Sequence, residues 1–261
     1  MPYTVSHIAA VIPGYRLLTR IQVFSAAVIG SMVPDFGLML PRDPARWETH
    51  SLVGLFTFCL PLGLIAYWLT QLLIKPAVIE ALPDSAYLRL QTSHPPASLT
   101  RLRTWIIVSA ALLLGAFTHL VWDGFTHESG RGVRAFSFLN DFGPEVDGHR
   151  LHLFRLLQFV SSIVGLGIVI IAVIVWLWRA PQPTAPCERR LRRGERIGWL
   201  CLYLLPPAIM VSWALWRAWV TGVSPFGTGY ALGGVAVASI RGAMISLIFI
   251  SALMRIRLAT T

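Results

Sequence analysis

The sequence predicts an all-α, polytopic membrane helix bundle: five transmembrane helices, preceded by an N-terminal pair of short helices or a re-entrant hairpin. The first observation is composition, because 55% of the 261 residues are hydrophobic and only 13% are charged, about half the charged share of a soluble domain. The second is that the apolar residues form long charge-poor runs, and the third is that the basic residues lie mostly between those runs. Soluble enzyme folds, disulfide scaffolds and disordered regulators are therefore excluded.

The transmembrane helices are predicted from run length, since about 20 apolar residues cross the hydrocarbon core as a helix. A sixth stretch, residues 17–33, is at the lower limit of this length and carries polar residues. A crossing there would place His7 and Asp35 on opposite faces of the membrane, so we expect residues 4–33 to pack against the bundle instead. The five predicted crossings are residues 52–74, 105–122, 158–178, 197–219 and 231–254.

The arginines predict which face of the membrane each loop occupies. The net charge of +10 comes from 21 arginines and the single lysine Lys75, and the segment 179–196 alone carries six of the arginines. Basic loops stay in the cytoplasm, so we expect this loop and the C-terminal tail on the cytoplasmic side. The chain then divides into a membrane domain at 1–178, the loop 179–196 and two further spans at 197–261. The same arginine pattern indicates membrane topology and the lipid bilayer as partner, not nucleic-acid binding.

Three ionisable residues at the end of the second predicted span share one helix face. His119, Asp123 and His127 follow one another at four-residue intervals, which places neighbouring side chains about 5–6 Å apart. Adjacent members can share a metal ion, and two ions bridged by Asp123 fit the spacing better than one ion bound by all three. The alternative is a set of hydrogen-bonded core residues, although ionisable groups at membrane depth are costly and generally functional.

Three further candidate residues, His7, Asp35 and His50, come before the first predicted span in the sequence. His50 stands just before the first predicted span and His127 just after the second, so both lie on the same face whichever way the protein is oriented. His7 and Asp35 are candidates for the same site, with a helix-capping role open for Asp35. The metalloprotease motif HExxH is absent, because His127 and Glu128 are followed by Ser-Gly-Arg.

Four motifs carry a resemblance to a known family: Ser6-His7, GSMVPD at 30–35, HSLVGLF at 50–56 and GAFTHLVWDGFTH at 115–127. They resemble those of an uncharacterised bacterial family of multi-pass membrane proteins, known as a domain of unknown function. The resemblance covers residues 1–178, and it implies residence in the bacterial inner membrane. A later motif of that family is expected at Gln158, Ser161, Ser162 and Gly165.

A looser similarity joins the same residues to zinc-dependent phospholipase C, to single-strand-specific zinc nucleases and to LexA-regulated membrane-bound metal-dependent hydrolases. A final His followed four residues later by Glu, which the phospholipase has, is missing here. We therefore expect one or two ions of zinc or another divalent metal rather than three. The ligands that the similarity implies are His7, Asp35, His50, His119, Asp123 and His127.

The resulting expectation is a membrane-embedded hydrolase that cleaves a phosphoester, lipid-linked substrates included, by means of a metal-activated water. Asp35 or Asp123 would bridge ions or orient that water. Arg241 and His152 are weaker candidates for holding the substrate. The alternative is a membrane protein without enzymatic activity that binds or transports metal ions or protons through the same cluster. The site is expected on the extracytoplasmic face.

Overall fold

Five long helices dominate the computed structural model, which describes residues 3–40, 44–93, 101–146, 149–180, 191–222 and 230–260. The shortest has 25 residues, which at 1.5 Å per residue is about 37 Å and exceeds the hydrocarbon thickness of a bilayer. The prediction of an all-α membrane bundle with five spans is confirmed. In chain order, spans 1 to 5 are Leu52–Ala81, Leu102–Thr126, Leu153–Arg179, Arg193–Val220 and Gly233–Ala259.

The spans are longer than the apolar runs that predicted them, because helices continue through polar residues at their ends. Span 1 runs past Lys75 to Ala81 and contains two π-helical segments, Leu55–Cys59 and Thr70–Ile74. Span 2 continues through Thr126, so His119 and Asp123 lie on its last two turns.

The N-terminal segment forms short helices, as predicted, and does not cross as one long helix. A 3-10 helix at Thr4–Ala10 leads to two short α-helices, Tyr15–Arg20 and Phe24–Gly30, and then to a second 3-10 helix at Val33–Met39. The turn between the two α-helices contains Gln22 at φ 61°, a left-handed conformation that few residues other than glycine adopt. The direction of the chain changes there, which keeps residues 17–33 from forming one span.

Helix Phe24–Gly30 packs directly onto span 2 through two glycines. A Cβ atom on Gly30 would overlap the carbonyl oxygen of Leu112, and one on Gly115 would overlap the carbonyl oxygen of Ala27. Small residues permit such close approach of helix backbones in membrane proteins. The contact fixes residue 31, which follows this helix, beside the last turns of span 2.

The segment of chain that connects span 2 to span 3 contains a two-stranded antiparallel sheet, which the sequence analysis did not predict. Strand β1, Phe142–Val146, pairs with strand β2, His149–His152. Each strand has at most five residues, too few for the alternation of polar and apolar residues to stand out from a loop.

The chain forms two compact units that alternate along the sequence. The first comprises Met1–Tyr67 and Ala97–Ile174, and the second comprises Trp68–Pro96 and Val175–Thr261. The division differs from the linear one drawn at residues 178 and 196, since the second unit includes the end of span 1. Of the basic segment 179–196, residues 181–190 lie outside the described part of the chain.

Each unit has its own core. The first unit packs apolar residues of the short N-terminal helices, span 1 and span 2, with Val33, Leu55 and Leu112 among them. In the second, Met254 and Leu258 pack against small residues of span 1, Ala77 and Ala81.

Candidate metal centre

All six predicted ligands belong to the first unit and converge at one end of spans 1 and 2. His7 lies on the first 3-10 helix and Asp35 on the second, while His50 immediately precedes span 1. His119 and Asp123 lie on span 2, and His127 caps its carboxyl end. Residues that are 88 positions apart in sequence, Asp35 and Asp123, therefore face the same imidazoles.

Four donor atoms from four residues alternate between nitrogen and oxygen. Nε2 of His50 lies 3.5 Å from Oδ1 of Asp35 and 3.4 Å from Oδ2 of Asp123. Nε2 of His119 lies 3.6 Å from each of the same two oxygens. We call this arrangement of His50, Asp35, His119 and Asp123 the four-donor ring.

Four of the six ligand–ligand separations of a tetrahedral ion are given by neighbouring atoms of the four-donor ring, and these four have the expected length. Zinc–ligand bonds of 2.0–2.2 Å at tetrahedral angles place neighbouring ligand atoms about 3.3–3.6 Å apart. The four measured separations are 3.4–3.6 Å. A hydrogen bond would be shorter, near 2.9 Å, so direct bonding between the imidazoles and carboxylates explains the spacing less well than a shared cation does.

Hydrogen bonds on the outer side of the ring orient its members. Nδ1 of His119 lies 2.8 Å from the carbonyl oxygen of Ser31, which can only accept, so the proton belongs on Nδ1 and the lone pair of neutral His119 is on Nε2. The Thr4 hydroxyl donates to Oδ2 of Asp35 at 2.6 Å and leaves Oδ1 for the ring. Nδ1 of His50 similarly contacts the Thr49 hydroxyl at 2.6 Å.

Several polar atoms of the cluster are buried without a hydrogen-bond partner among the described residues. They include both ring nitrogens of His7, Nε2 of His50 and His119, and Oδ1 of Asp35 and Asp123. Leaving such atoms unpaired costs about 1–3 kcal/mol each, and lone pairs of neutral imidazoles facing carboxylate oxygens add repulsion. A divalent cation bound among them would remove both penalties.

His7 provides a donor next to the ring rather than within it. Its imidazole is fully buried, stacks on His119 with 3.7 Å between ring centroids, and places Nε2 3.5 Å from Oδ1 of Asp123. Ligand atoms of His7, His119 and Asp123 all lie within 4.8 Å of one another. Asp123 thus presents one oxygen to the four-donor ring and the other to His7, which is the arrangement of a bridging carboxylate.

His127 lies at the edge of the cluster. Its Nδ1 is 3.4 Å from Oδ2 of Asp123 and 3.2 Å from the backbone oxygen of the same residue, while its Nε2 faces the amide nitrogen of Gln158 at 3.4 Å. Its side chain is 15% exposed, against 8% for His50 and 0% for His119. The cluster is therefore most accessible on the side of His127 and His50.

The protonation states outside the spans suit metal ligands. Burial and the nearby His119 lower the pKa of His7 to about 3, and burial lowers the pKa of His127 to about 4. Burial alone would raise the pKa of Asp35, but the charge of His119 when it is protonated and a hydrogen bond from His50 when its Nε2 carries a proton hold it below its usual range. Near neutral pH His7 and His127 are therefore uncharged and Asp35 is ionised, as metal binding requires.

Span 3 supports the site with a stripe of polar and small residues. Ser162 accepts a hydrogen bond from the backbone of Tyr3 at 3.1 Å, and Ser161 accepts one from the Trp122 indole at 3.2 Å. A Cβ atom on Gly165 would meet Ser6. These are positions where the resemblance placed a later motif, and they join span 3 both to the N-terminal segment and to span 2.

The sequence did not identify Arg46 as part of the site. Its guanidinium donates to Oδ2 of Asp123 at 2.9 Å, and its side chain is 38% exposed. The available signal was spacing, because Arg46 precedes His50 by four residues in a segment that was already assigned to the same membrane face.

The two weaker candidates for substrate binding have other surroundings. Nδ1 of His152 lies 2.6 Å from the carbonyl oxygen of Asn140, and its ring stacks on Phe142 and Phe154. None of these described contacts leads to the cluster. Arg241 belongs to the second unit, and its assignment to the substrate stays a prediction.

Five apolar spans and a buried set of imidazole and carboxylate groups define an integral membrane protein with a candidate metal centre. The chain belongs to the family described as a domain of unknown function (DUF4184), whose profile matches residues 1–252. The family match extends past residue 178, where the resemblance seen in the sequence ended, and it includes span 4 and most of span 5. No curated protein and no solved structure matches the chain.

Proposed function

We propose that the protein is a membrane-embedded, metal-dependent hydrolase of phosphoesters, with its ion held by Asp35, His50, His119 and Asp123. The observation that supports the proposal is the four-donor ring, whose neighbouring atoms are 3.4–3.6 Å apart. Three of its four atoms are buried without a hydrogen-bond partner among the described residues, and the fourth, Oδ2 of Asp123, accepts a hydrogen bond from Arg46. A second ion would have His7 and the remaining oxygen of Asp123 as its ligands, since the one available nitrogen of His119 belongs to the ring.

Zinc is the metal that this donor set favours. Mixed imidazole and carboxylate ligation is ordinary for zinc, and the ring has the edge lengths of its tetrahedral coordination. Manganese and ferrous iron accept the same donors but prefer more ligands. The first test therefore uses zinc and includes the other two metals.

The chemistry that this ion supplies is a bound water with a pKa lowered toward neutrality and a Lewis acid for a phosphoryl oxygen. Asp123 lies within 3.6 Å of four members of the cluster, His7, His50, His119 and His127, and would hold two positions together. Asp35, which is ionised and oriented by Thr4, completes the ring. Substrate would approach from the side of His50 and His127, the more exposed imidazoles.

A lipid-linked phosphoester is the substrate class that the location of the site favours. The cluster lies at the ends of spans 1 and 2 that adjoin His50 and His127, where we expect the lipid headgroups to be. The arginines of segment 179–196 favour an extracytoplasmic site in the bacterial inner membrane. Water-soluble phosphoesters form the matching comparison in an activity test.

A metal-binding role without catalysis is the second candidate, and one observation favours it. Four protein donors complete a tetrahedron, as in structural zinc sites, whereas catalytic zinc generally has three protein ligands and a water. Transport of the ion belongs to the same class, because it too needs binding without hydrolysis.

Metal content of the purified full chain tests the proposal. The protein is equilibrated with zinc, manganese or ferrous iron, desalted, and analysed by elemental mass spectrometry. We expect about one zinc per chain, or two if the His7 position also fills, and a loss of at least tenfold in His50→Ala and Asp35→Asn. His152→Ala, a histidine outside the cluster, is the matched control and should keep its metal. Equal metal content in all four proteins would refute the metal site.

Activity then separates the two candidates. Zinc-loaded protein in detergent or lipid vesicles is assayed with a phosphomonoester, a phosphodiester and a headgroup-labelled phospholipid. Hydrolysis that a chelator abolishes and added zinc restores supports the hydrolase. Stoichiometric zinc without hydrolysis of any of them supports the second candidate, and zinc uptake into proteoliposomes then distinguishes transport from a structural ion.

A further inference from the structure

Arg46 connects the candidate metal centre to its surroundings. It lies on the short helix Arg46–Thr49, which comes just before His50. A terminal nitrogen of its guanidinium, Nη2, donates a hydrogen bond to Oδ2 of Asp123, the oxygen that belongs to the four-donor ring. The side chain is nevertheless 38% exposed, while that of Asp123 is 3% exposed. The Arg46 side chain therefore contacts a ring member through its guanidinium and is at the same time partly exposed, so that an incoming ligand can reach it.

The charges of the cluster make this position suitable for an anion. An imidazole that binds a metal ion is neutral, so in the metal-bound site Asp35 and Asp123 contribute −2, Arg46 contributes +1 and the divalent ion +2, which gives a net charge of +1. A buried or half-buried excess charge is costly unless a counter-ion neutralises it. An anion that contacts both the ion and Arg46 would do so.

The guanidinium also has the geometry that a phosphate requires. Arginine has five N–H donors in a planar fork that matches two oxygens of a phosphate. Among the described residues, which do not include 41–43, the side-chain hydrogen bond of Arg46 is the one to Asp123. Because Arg46 and His50 are on consecutive turns of one segment, an anion on the exposed side of the guanidinium lies next to the more accessible imidazole of the ring.

We propose that Arg46 and the metal ion together form a phosphate-binding site, and that Arg46, rather than Arg241, is the residue that selects anionic phosphoester substrates. This inference rests on the proposed function, since it requires the ion. It replaces Arg241 as the cation that binds the substrate phosphate and requires no residue of the second unit.

Inorganic phosphate is the probe that tests it. Equilibrium dialysis with labelled phosphate is carried out on the zinc-loaded full chain and on Arg46→Met, Arg46→Lys and Arg134→Met, with zinc measured in each sample. Arg134 is an exposed residue of the helix Arg131–Ala135 and is the matched control. We expect Arg46→Met to keep its zinc and to bind phosphate about tenfold more weakly. Arg46→Lys should bind with intermediate affinity, and Arg134→Met should bind as the unaltered chain does.

The outcomes separate this inference from the proposed function. An unaltered chain that holds no zinc refutes both. Zinc in all samples, with phosphate bound equally by Arg46→Met and the unaltered chain or bound by neither, refutes the role of Arg46 and leaves the metal site standing. If Arg46→Met does not fold, Arg46→Lys decides, because an affinity equal to that of the unaltered chain would show that the fork geometry is not used.

Discussion

Spans 2 and 4 are both long, apolar helices, yet their surroundings differ. In an apolar stretch of 18 consecutive residues of span 2, 33% of the residues are buried within the protein. In the corresponding stretch of span 4, within the described range Arg193–Val220, 0% are buried. The buried residues of span 2 include His119 and Asp123, and the face that holds them is covered by the short N-terminal helices. Apolar composition thus makes both helices membrane spans, but only the covered one can keep unsolvated ionisable groups.

Glycines show the same contrast between the two helices. Gly115 of span 2 touches the backbone of helix Phe24–Gly30, whereas a Cβ atom on Gly198 of span 4 would meet nothing within 4 Å. The close contact in the first unit places Ser31 where its carbonyl oxygen orients His119. Tight helix packing and the ligand arrangement are therefore parts of one feature.

The largest expected effect comes from removing a ligand from span 2. We expect His119→Ala and Asp123→Ala each to lower zinc affinity by more than 100-fold, because each substitution removes one donor of the four-donor ring. Competition with a fluorescent zinc chelator measures the affinity. Leu114→Ala, at an exposed position on the same span, should bind zinc as the unaltered chain does. Unchanged zinc affinity in the His119→Ala and Asp123→Ala variants would show that span 2 provides no zinc ligand.

A methyl group added at the helix contact should destabilise only the first unit's packing. We expect Gly115→Ala to reduce the free energy of unfolding by about 1–3 kcal/mol, because the new Cβ atom would overlap the carbonyl oxygen of Ala27. Gly198→Ala is the matched change in span 4 and should have little effect. Melting temperatures of the two variants in the same detergent make the comparison, and equal shifts would contradict it.

Acidification should destabilise the metal-free protein through His7. The unfolded chain binds a proton there below pH about 6.5, but the folded protein does so only near its lowered pKa of about 3. Stability is therefore lost as pH falls through 6.5, by about 2 kcal/mol at pH 5 from this residue. Melting temperatures between pH 7.5 and 5 measure the slope, which His7→Gln should reduce. The pKa of Asp35 lies below this interval, so a slope unaffected by His7→Gln would contradict the assignment.

The smallest expected effect is the loss of an orienting hydrogen bond. We expect Thr4→Val to weaken zinc binding by about tenfold, because the Thr4 hydroxyl donates to the Asp35 oxygen that faces away from the ring. Thr57→Val removes a comparable hydroxyl at an exposed position in span 1, where it bonds to a backbone oxygen, and should leave zinc binding unchanged. Equal affinity in both variants would mean that Thr4 does not orient the site.

Much of the site could be predicted because local spacing revealed part of it. His119, Asp123 and His127 repeat every four residues, so one helix face was enough to group them. His7, Asp35 and His50 were assigned through the resemblance of their motifs, since nothing local connects them to span 2. The four-donor ring was not predicted, and neither was the position of His127 at its edge, because both depend on side-chain directions in separate elements.

Arg46 and Thr4 show why the remainder could not be predicted. Each is an ordinary polar residue in a short segment, and only contacts with Asp123 and Asp35 give them a role. The interleaving of the two units was hidden for the same reason, since no composition change marks residue 67 in the middle of span 1.

The sequence by itself determined that this chain resides in a membrane, how many times its helices can cross, and that His and Asp residues gather near the ends of spans. Those properties follow from hydropathy and spacing along short stretches of chain. Only the tertiary structure decided that Asp35, from a 3-10 helix, shares two imidazoles with Asp123 of span 2. Ligand geometry depends on ångström-scale distances between segments distant in sequence, and the packing of glycine-lined helices sets those distances.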